Sequence, residues 1–172
     1  MRLSRFMAKP TTTHFSAAKR LLRYLKGSTE QSLQYQKGRL ELQGFADARY
    51  TCDPESGRST SDYIFTLSGA AISWSSNLQP VVAQSTTEAE YFAVGDAAKE
   101  AVYLGSFIKE LGLFKMEIIT IHEDNMRALH LASNNVFSAK TKHSHIQYHF
   151  LKQLVQEERI HIKHVASSEQ GE

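Results

Sequence analysis

Residues 84–91 read QSTTEAEY and set two carboxylates, Glu88 and Glu90, at the head of an alanine-rich, mostly apolar stretch that runs to Leu111. On a helix, two residues of separation send these side chains to opposite sides. Advancing each residue by about 100° from Thr86 gathers Ala93, Val94, Ala97, Ala101, Leu104, Ile108 and Leu111 into one stripe. Glu90 falls inside that stripe, and Glu88 falls roughly 160° away from Glu90. Glu88 also follows Ser85 by three residues, the spacing of a capping box in which the two side chains satisfy backbone N–H groups. Glu88 therefore has a structural task, whereas Glu90 has none. A carboxylate directed into an apolar face costs several kcal/mol, on the order of 2–7, unless a cation or donors meet it. Either the first turn projects past the edge of the core, or Glu90 meets a metal ion or a base.

Two further carboxylates occupy comparable places. Asp47 ends the apolar part of LELQGFAD, and Asp124 ends MEIITIHED just ahead of a helical pattern. The end of a buried strand holds a side chain rigidly while its oxygens face an opening. Each has a plainer explanation: Asp124 as the N-cap of the helix that follows, Asp47 as a turn residue. Three acids from separate elements, with oxygen as the only donor, suit Mg²⁺ or Mn²⁺. Two such ions activate a water and stabilise the leaving oxygen of a phosphodiester.

The elements that must position these acids follow from periodicity. Residues 12–26 carry Phe15, Ala18, Leu22 and Leu25 at helical spacing beside Lys19, Arg20, Arg23 and Lys26, with Gly27 as a stop. That basic side is either an ordinary solvated face or a contact for a phosphate backbone, for which Lys19 and Arg23 are the candidates. From Arg39 the period becomes that of strands, in LELQGFADARY, DYIFTLSG and AAISWSSN, divided by DPESGRSTS and by Ser68-Gly69. A helix from about Thr86 to Leu111 follows and Gly112 closes it. Then come a buried strand with three isoleucines, two helices and a final strand, RIHIKHVAS. Three strands, helix, strand, helix, helix, strand predict an α/β fold: a mixed five-stranded sheet, part antiparallel meander and part parallel, flanked by helices. The expected division is 1–38 as a leader with the basic helix and 39–172 as the α/β domain. One cysteine, Cys52, excludes an internal disulfide framework and a cysteine-based zinc site. No apolar run is long enough for a membrane span and no secretory leader is present, so an intracellular protein with no membrane partner is expected. A net charge of +2 permits a polyanionic partner without arguing for one.

The strings GFADARY, SGRSTSDYIF, ISWSSNLQPVVAQSTTEAEY, EDN and TKHSHIQYHF, in this order, closely resemble the ribonuclease H domain of copia-type retrotransposon Pol polyproteins. RFMAKPTTTHFSAAKRLLRYLKG resembles the segment joining reverse transcriptase to that domain. The resemblance implies a ribonuclease H fold and cleavage of the RNA strand of RNA:DNA hybrids with two Mg²⁺ or Mn²⁺ ions. It also implies the reverse transcriptase region of the same polyprotein as a partner, in the cytoplasmic particle or the nucleus. By position, Asp47 matches the aspartate of the first strand, Glu90 the glutamate of the first long helix, and Asp124 the aspartate ending the fourth strand. The family's fourth carboxylate has no match: this sequence stops about one residue short of it, with only Glu172 nearby, which predicts a truncated domain. A catalytically inactive remnant that keeps the fold and weak nucleic-acid binding is the competing reading.

Several positions depart from the family pattern. Arg49 stands where an acid is usual and Asp62 where glycine is usual; Gln84, Met126, Arg127, His145 and Gln147 also differ. His143, His145 and His149 fall on different helix faces and do not form a metal cluster, although His143 and His149 are family positions, and His143 is a candidate to face nucleic acid. Ser59, Thr60 and Ser61 offer hydroxyl and N–H donors to a nucleic-acid backbone, or form an ordinary turn. Trp74 is expected in the core or half-buried.

Overall fold

The computed structural model describes residues 3–37, 40–112, 118–133 and 142–166. The chain divides into two units, Met1–Gln34 and Tyr35–Glu172. The boundary falls ahead of the expected 38/39. The Tyr35 hydroxyl donates to the Ala71 carbonyl, and the Gln36 N–H donates to that of Ser68, both at 2.9 Å, so these two residues belong with the sheet.

The first unit has a short 3₁₀ turn, Leu3–Phe6, and a helix α1, Thr12–Gly27. Thr11 caps α1 with a histidine in the reciprocal role: its N–H donates to His14 Nδ1 at 3.1 Å, and its Oγ1 accepts the His14 N–H. Helix α1 buries no residue. Phe15, Leu21, Leu22 and Leu25 of its apolar side all stand exposed.

The second unit holds β1 (Leu42–Arg49), β2 (Thr60–Leu67), β3 (Ala70–Leu78), α2 (Thr86–Leu111), β4 (Ile119–Glu123), α3 (Met126–Ser133), α4 (Lys142–Gln156) and β5 (Ile160–His164). The sheet order is β3-β2-β1-β4-β5. The first three strands are antiparallel, and β4 and β5 are parallel additions beside β1. The expected element order and mixed sheet are thus both present. The β2–β3 hairpin turns through Ser68 and Gly69, both left-handed at φ 54° and 81°, the conformation that tight hairpins require. Gly112 ends α2 at φ 63°, with its N–H donating to the Lys109 carbonyl.

Small residues let α2 approach the sheet closely. Ala97, Ala98 and Ala101 are fully buried, in one core with Val94, Leu104, Ile108, Phe65, Ile121, Ile160, Leu151 and Leu154. On β1, Gly44 lies under the Phe65 ring: a Cβ there would stand 2.6 Å from Phe65 Cε1.

Trp74 contradicts the expectation of a core or half-buried residue, for it is 66% exposed. The cause is a register shift between Phe65 and Thr66, where β2 pairs with Ser73 and then with Ala71. An extra residue in one strand reverses the side-chain alternation beyond it. Ile72 packs against the core, Ser73 Oγ donates to Glu100 Oε1 of α2 at 2.6 Å, and Trp74 is turned away.

Candidate metal centre

Register brings two of the acids together. Phe45 of β1 pairs with His122 of β4 in the parallel ladder, so Asp47 and Asp124, each two residues further on, reach the same end of the sheet. Glu90 comes from the second turn of α2, which packs across β1. Asp47, Glu90 and Asp124 each offer a carboxylate oxygen, and these oxygens all lie within 4.8 Å of one another.

The helix caps beside the cluster are made by other groups. Ser85 Oγ accepts the Glu88 N–H at 3.2 Å, while the Glu88 carboxylate accepts the N–H of Gln84 at 2.7 Å. The expected box therefore closes one residue early, on Gln84 instead of Ser85, and still consumes Glu88. At α3 the cap is Asn125: its Oδ1 accepts the N–H groups of Arg127 and Ala128 at 3.0 and 3.2 Å. Asp124 is thus released from the capping role that its position allowed.

At Glu90 and Asp47, burial and neighbouring negative charge both favour the protonated form. Glu90 is 9% exposed and pushed up to about 8, first by burial and then by the charges of Asp47 and Asp124. Asp47 is raised by burial, then by Asp124 and by Asp62; the Ala48 N–H and Arg49 act in the opposite sense. A fourth acid, Glu123, lies beneath them with no exposed surface, and burial followed by the Glu90 charge pushes it up to about 9. Glu123 Oε1 accepts the Asn125 N–H at 3.1 Å. Glu90 Oε2 and Glu123 Oε2 are buried without a hydrogen-bond partner. Oxygen donors that converge, repel one another and leave buried lone pairs unmet fit a hard divalent cation. The opening beside them is lined by Thr86, Thr87, Glu90, Asp124, Asn125, Met126 and Arg127.

No protein-family profile matches the chain. Over 167 residues it is 38% identical to the retrovirus-related Pol polyprotein from transposon TNT 1-94 of Nicotiana tabacum, covering 97% of this chain and 12% of that protein. Over 170 residues it is 39% identical to the corresponding protein from transposon RE1 of Arabidopsis thaliana, covering 98% and 12%. Nearly the whole chain is thus homologous to one segment of the retrovirus-related Pol polyproteins. It spans about an eighth of the length of these relatives. LC11-RNase H1, in a crystal structure with an RNA/DNA hybrid, superposes with a TM-score of 0.55 at 14% identity, over 76% of this chain and 89% of that one. The second unit of this Pol-type chain therefore has the ribonuclease H fold.

On that ribonuclease H frame the other expected contacts are redistributed. Ser59 and Ser61 are 0% and 3% exposed. Ser59 Oγ accepts the Thr51 N–H at 3.1 Å and Ser61 Oγ accepts from Gln79 Nε2 at 2.9 Å. Their hydroxyls are engaged inside the fold, which corrects the expectation that all three residues of this segment offer donors to a backbone. Thr60 is partly exposed, with Oγ1 2.7 Å from Cys52 Sγ. Lys19 and Arg23 are exposed on α1 in the first unit. His149 is exposed on α4, while the side chain of His143, Glu172 and residues 113–117 lie outside what is described. Gln147 folds over Gly95 and donates to the Phe92 carbonyl at 3.1 Å, a helix-to-helix contact between α4 and α2.

Proposed function

We propose that this chain is a divalent-metal-dependent ribonuclease H that hydrolyses the RNA strand of RNA:DNA hybrids during transposon reverse transcription. The observation that carries this reading is the convergence of Asp47, Glu90 and Asp124 at one end of a ribonuclease H-type sheet. Asp47, Glu90 and Asp124 would hold Mg²⁺ or Mn²⁺, two ions on this reading. When bound, the metal supplies an activated water and charge stabilisation for the leaving oxygen of a phosphodiester.

The rest of the centre belongs to the protein. Strand β1 and the β4–α3 turn fix two carboxylates rigidly, and α2 brings the third from across the sheet. A cation held among the three carboxylates would offset their mutual repulsion and favour ionised Glu90, so metal binding is expected to strengthen as pH rises through about 8. The hydroxyls of Thr86 and Thr87 and the Arg127 guanidinium line the opening, where they would meet phosphate oxygens. Thr60 and His143, with Lys19 and Arg23 of α1, are the proposed further contacts to the hybrid. The exposed apolar side of α1 is proposed to pack on the reverse transcriptase region of the same polyprotein. Among the described residues no helix is long and apolar enough to cross a membrane. An intracellular site of action, in the particle or the nucleus, follows from the proposed substrate.

The test is strand-specific cleavage. A hybrid labelled on either strand is incubated with the chain and Mg²⁺ or Mn²⁺, beside duplex DNA, duplex RNA and a chelator control. Metal-dependent loss of the RNA strand alone supports the reading. Hybrid binding without cleavage identifies the inactive remnant instead.

A further inference from the structure

Gln79 follows β3, precedes Pro80, and is 1% exposed. Its side-chain Nε2 donates two hydrogen bonds of 2.9 Å, one to Ser61 Oγ on β2 and one to the Ala89 carbonyl in the first turns of α2. Its main-chain N–H donates to the Ser59 carbonyl at 2.8 Å. Ser61 pairs across the ladder with Ala48, the neighbour of Asp47, and Ala89 immediately precedes Glu90. A single amide nitrogen therefore spans from the strand region beside one carboxylate to the helical turn beside the other.

We infer that Gln79 is a positioning residue for the metal centre, holding the first turns of α2 against β2 so that Glu90 stays at ligating distance from Asp47. The inference rests on the function proposed above. A tie there sets the spacing of Glu90 from Asp47, whose carboxylate oxygens must stay within reach of one cation together with that of Asp124. A metal site tolerates displacement of only about 0.5 Å before ligation suffers. Burying a primary amide simply to fill space would be a poor solution, since an apolar side chain of similar length fills the same volume with no polar atom to satisfy. Both donor hydrogens are used, and both acceptors sit one residue from a carboxylate or from its cross-strand neighbour.

The experiment uses the whole chain and Mn²⁺ as the probe, with free Mn²⁺ read by electron paramagnetic resonance. Wild type, Gln79→Met and Ser61→Ala are compared, with circular dichroism and a cooperative melt reporting on folding. Gln79→Met removes both bonds at nearly constant length; Ser61→Ala removes the acceptor at one end only. Losses of about tenfold in Mn²⁺ affinity are the scale for outer-shell positioning groups. The expected result for Gln79→Met is that loss, together with a similar drop in kcat at limiting metal, an unchanged KM for the hybrid, and recovery of rate at high Mn²⁺. Ser61→Ala is expected to lose less, in the same direction. Glu88→Gln, which disturbs the cap of the same helix, is expected to lower the melting temperature without changing Mn²⁺ affinity.

A folded Gln79→Met chain with wild-type Mn²⁺ affinity overturns the positioning role and leaves the proposed function standing. If Gln79→Met fails to fold, Ser61→Ala decides: unchanged Mn²⁺ affinity in that folded variant overturns the role. A wild-type chain that binds no Mn²⁺ overturns the metal centre, and the positioning role with it.

Discussion

Arg49 Nε lies 3.2 Å from Asp62 Oδ2, and Asp62 stands directly across the β1–β2 ladder from Asp47. Arg49 and Asp62 are two of the positions at which the chain departs from the copia-type pattern, and they are each other's partner. Like charges opposite one another destabilise a ladder, so an aspartate facing Asp47 is unfavourable unless something offsets it. Arg49 supplies that offset, lowering the proton affinity of Asp47 that Asp62 raises. In the metal-free chain, Arg49→Ala is expected to raise the midpoint of the Asp47 carboxyl titration, and Asp62→Asn to lower it. Carbon-detected NMR of the side-chain carboxyls reads both signs. The pair itself is largely exposed on the arginine side, so its loss is expected to cost at most about 1 kcal/mol in a urea titration.

The stability of the metal-free chain is expected to fall as the solution becomes alkaline. Glu90 and Glu123 have folded-state values of about 8 and about 9 against an ordinary 4.5, so the folded chain retains protons that the unfolded chain releases. Their contribution is complete below the ordinary value and is lost as pH rises through about 8 and about 9. His122 is lowered by burial and acts in the opposite sense, but only toward the acid side of its ordinary 6.5. Melting curves from neutral pH upward are therefore expected to show a declining midpoint. Glu90→Gln is expected to flatten the decline, and Mn²⁺ to reverse it in wild type but not in Glu90→Gln. A wild-type midpoint that rises over this range contradicts the assignment of both acids.

Two glycines give an ordered pair of stability effects. Gly44→Ala drives a methyl against the fully buried Phe65 ring, which has no room to withdraw, and is expected to cost about 1–3 kcal/mol. Gly95→Ala instead displaces the Gln147 side chain from Cγ outward, a flexible neighbour, and breaks its bond to the Phe92 carbonyl. That loss of about 1 kcal/mol is opposed by a similar gain in helix propensity. Urea denaturation should rank Gly44→Ala clearly below Gly95→Ala in stability.

What was legible in the sequence is what periodicity controls. Helical phase alone separates Glu90 from Glu88, and the strand ends point to Asp47 and Asp124. Phase could not decide whether Asp124 or Asn125 caps α3, because either side chain serves and only geometry chooses. Glu123 carries a signal of its own: Ile119, Ile121 and Glu123 alternate along β4, which sends all three to the same face. The same alternation places Ser61 with Phe65 on the buried side of β2 and extends to the buried Ser59 just ahead of the strand, a pattern that the turn-like composition of this segment hides. The exposure of Trp74 is not legible because a bulge is a pairing property, and one strand's sequence carries no mark of it. The role of Gln79 is not legible because a residue before proline reads as punctuation, while its two partners lie 18 positions back and 10 ahead.

The most direct measurement is cleavage of the RNA strand of an RNA:DNA hybrid, in Mg²⁺ or Mn²⁺, by wild type, Glu90→Gln and Glu88→Gln chains. Wild type is expected to cut only the RNA strand. Glu90→Gln is expected to fall by roughly two orders of magnitude, the scale for losing one preorganised charge-stabilising group, while Glu88→Gln stays within a few-fold of wild type. No cleavage by folded wild-type chain, or equal cleavage by Glu90→Gln, would contradict the assignment of Asp47, Glu90 and Asp124 as the catalytic metal centre.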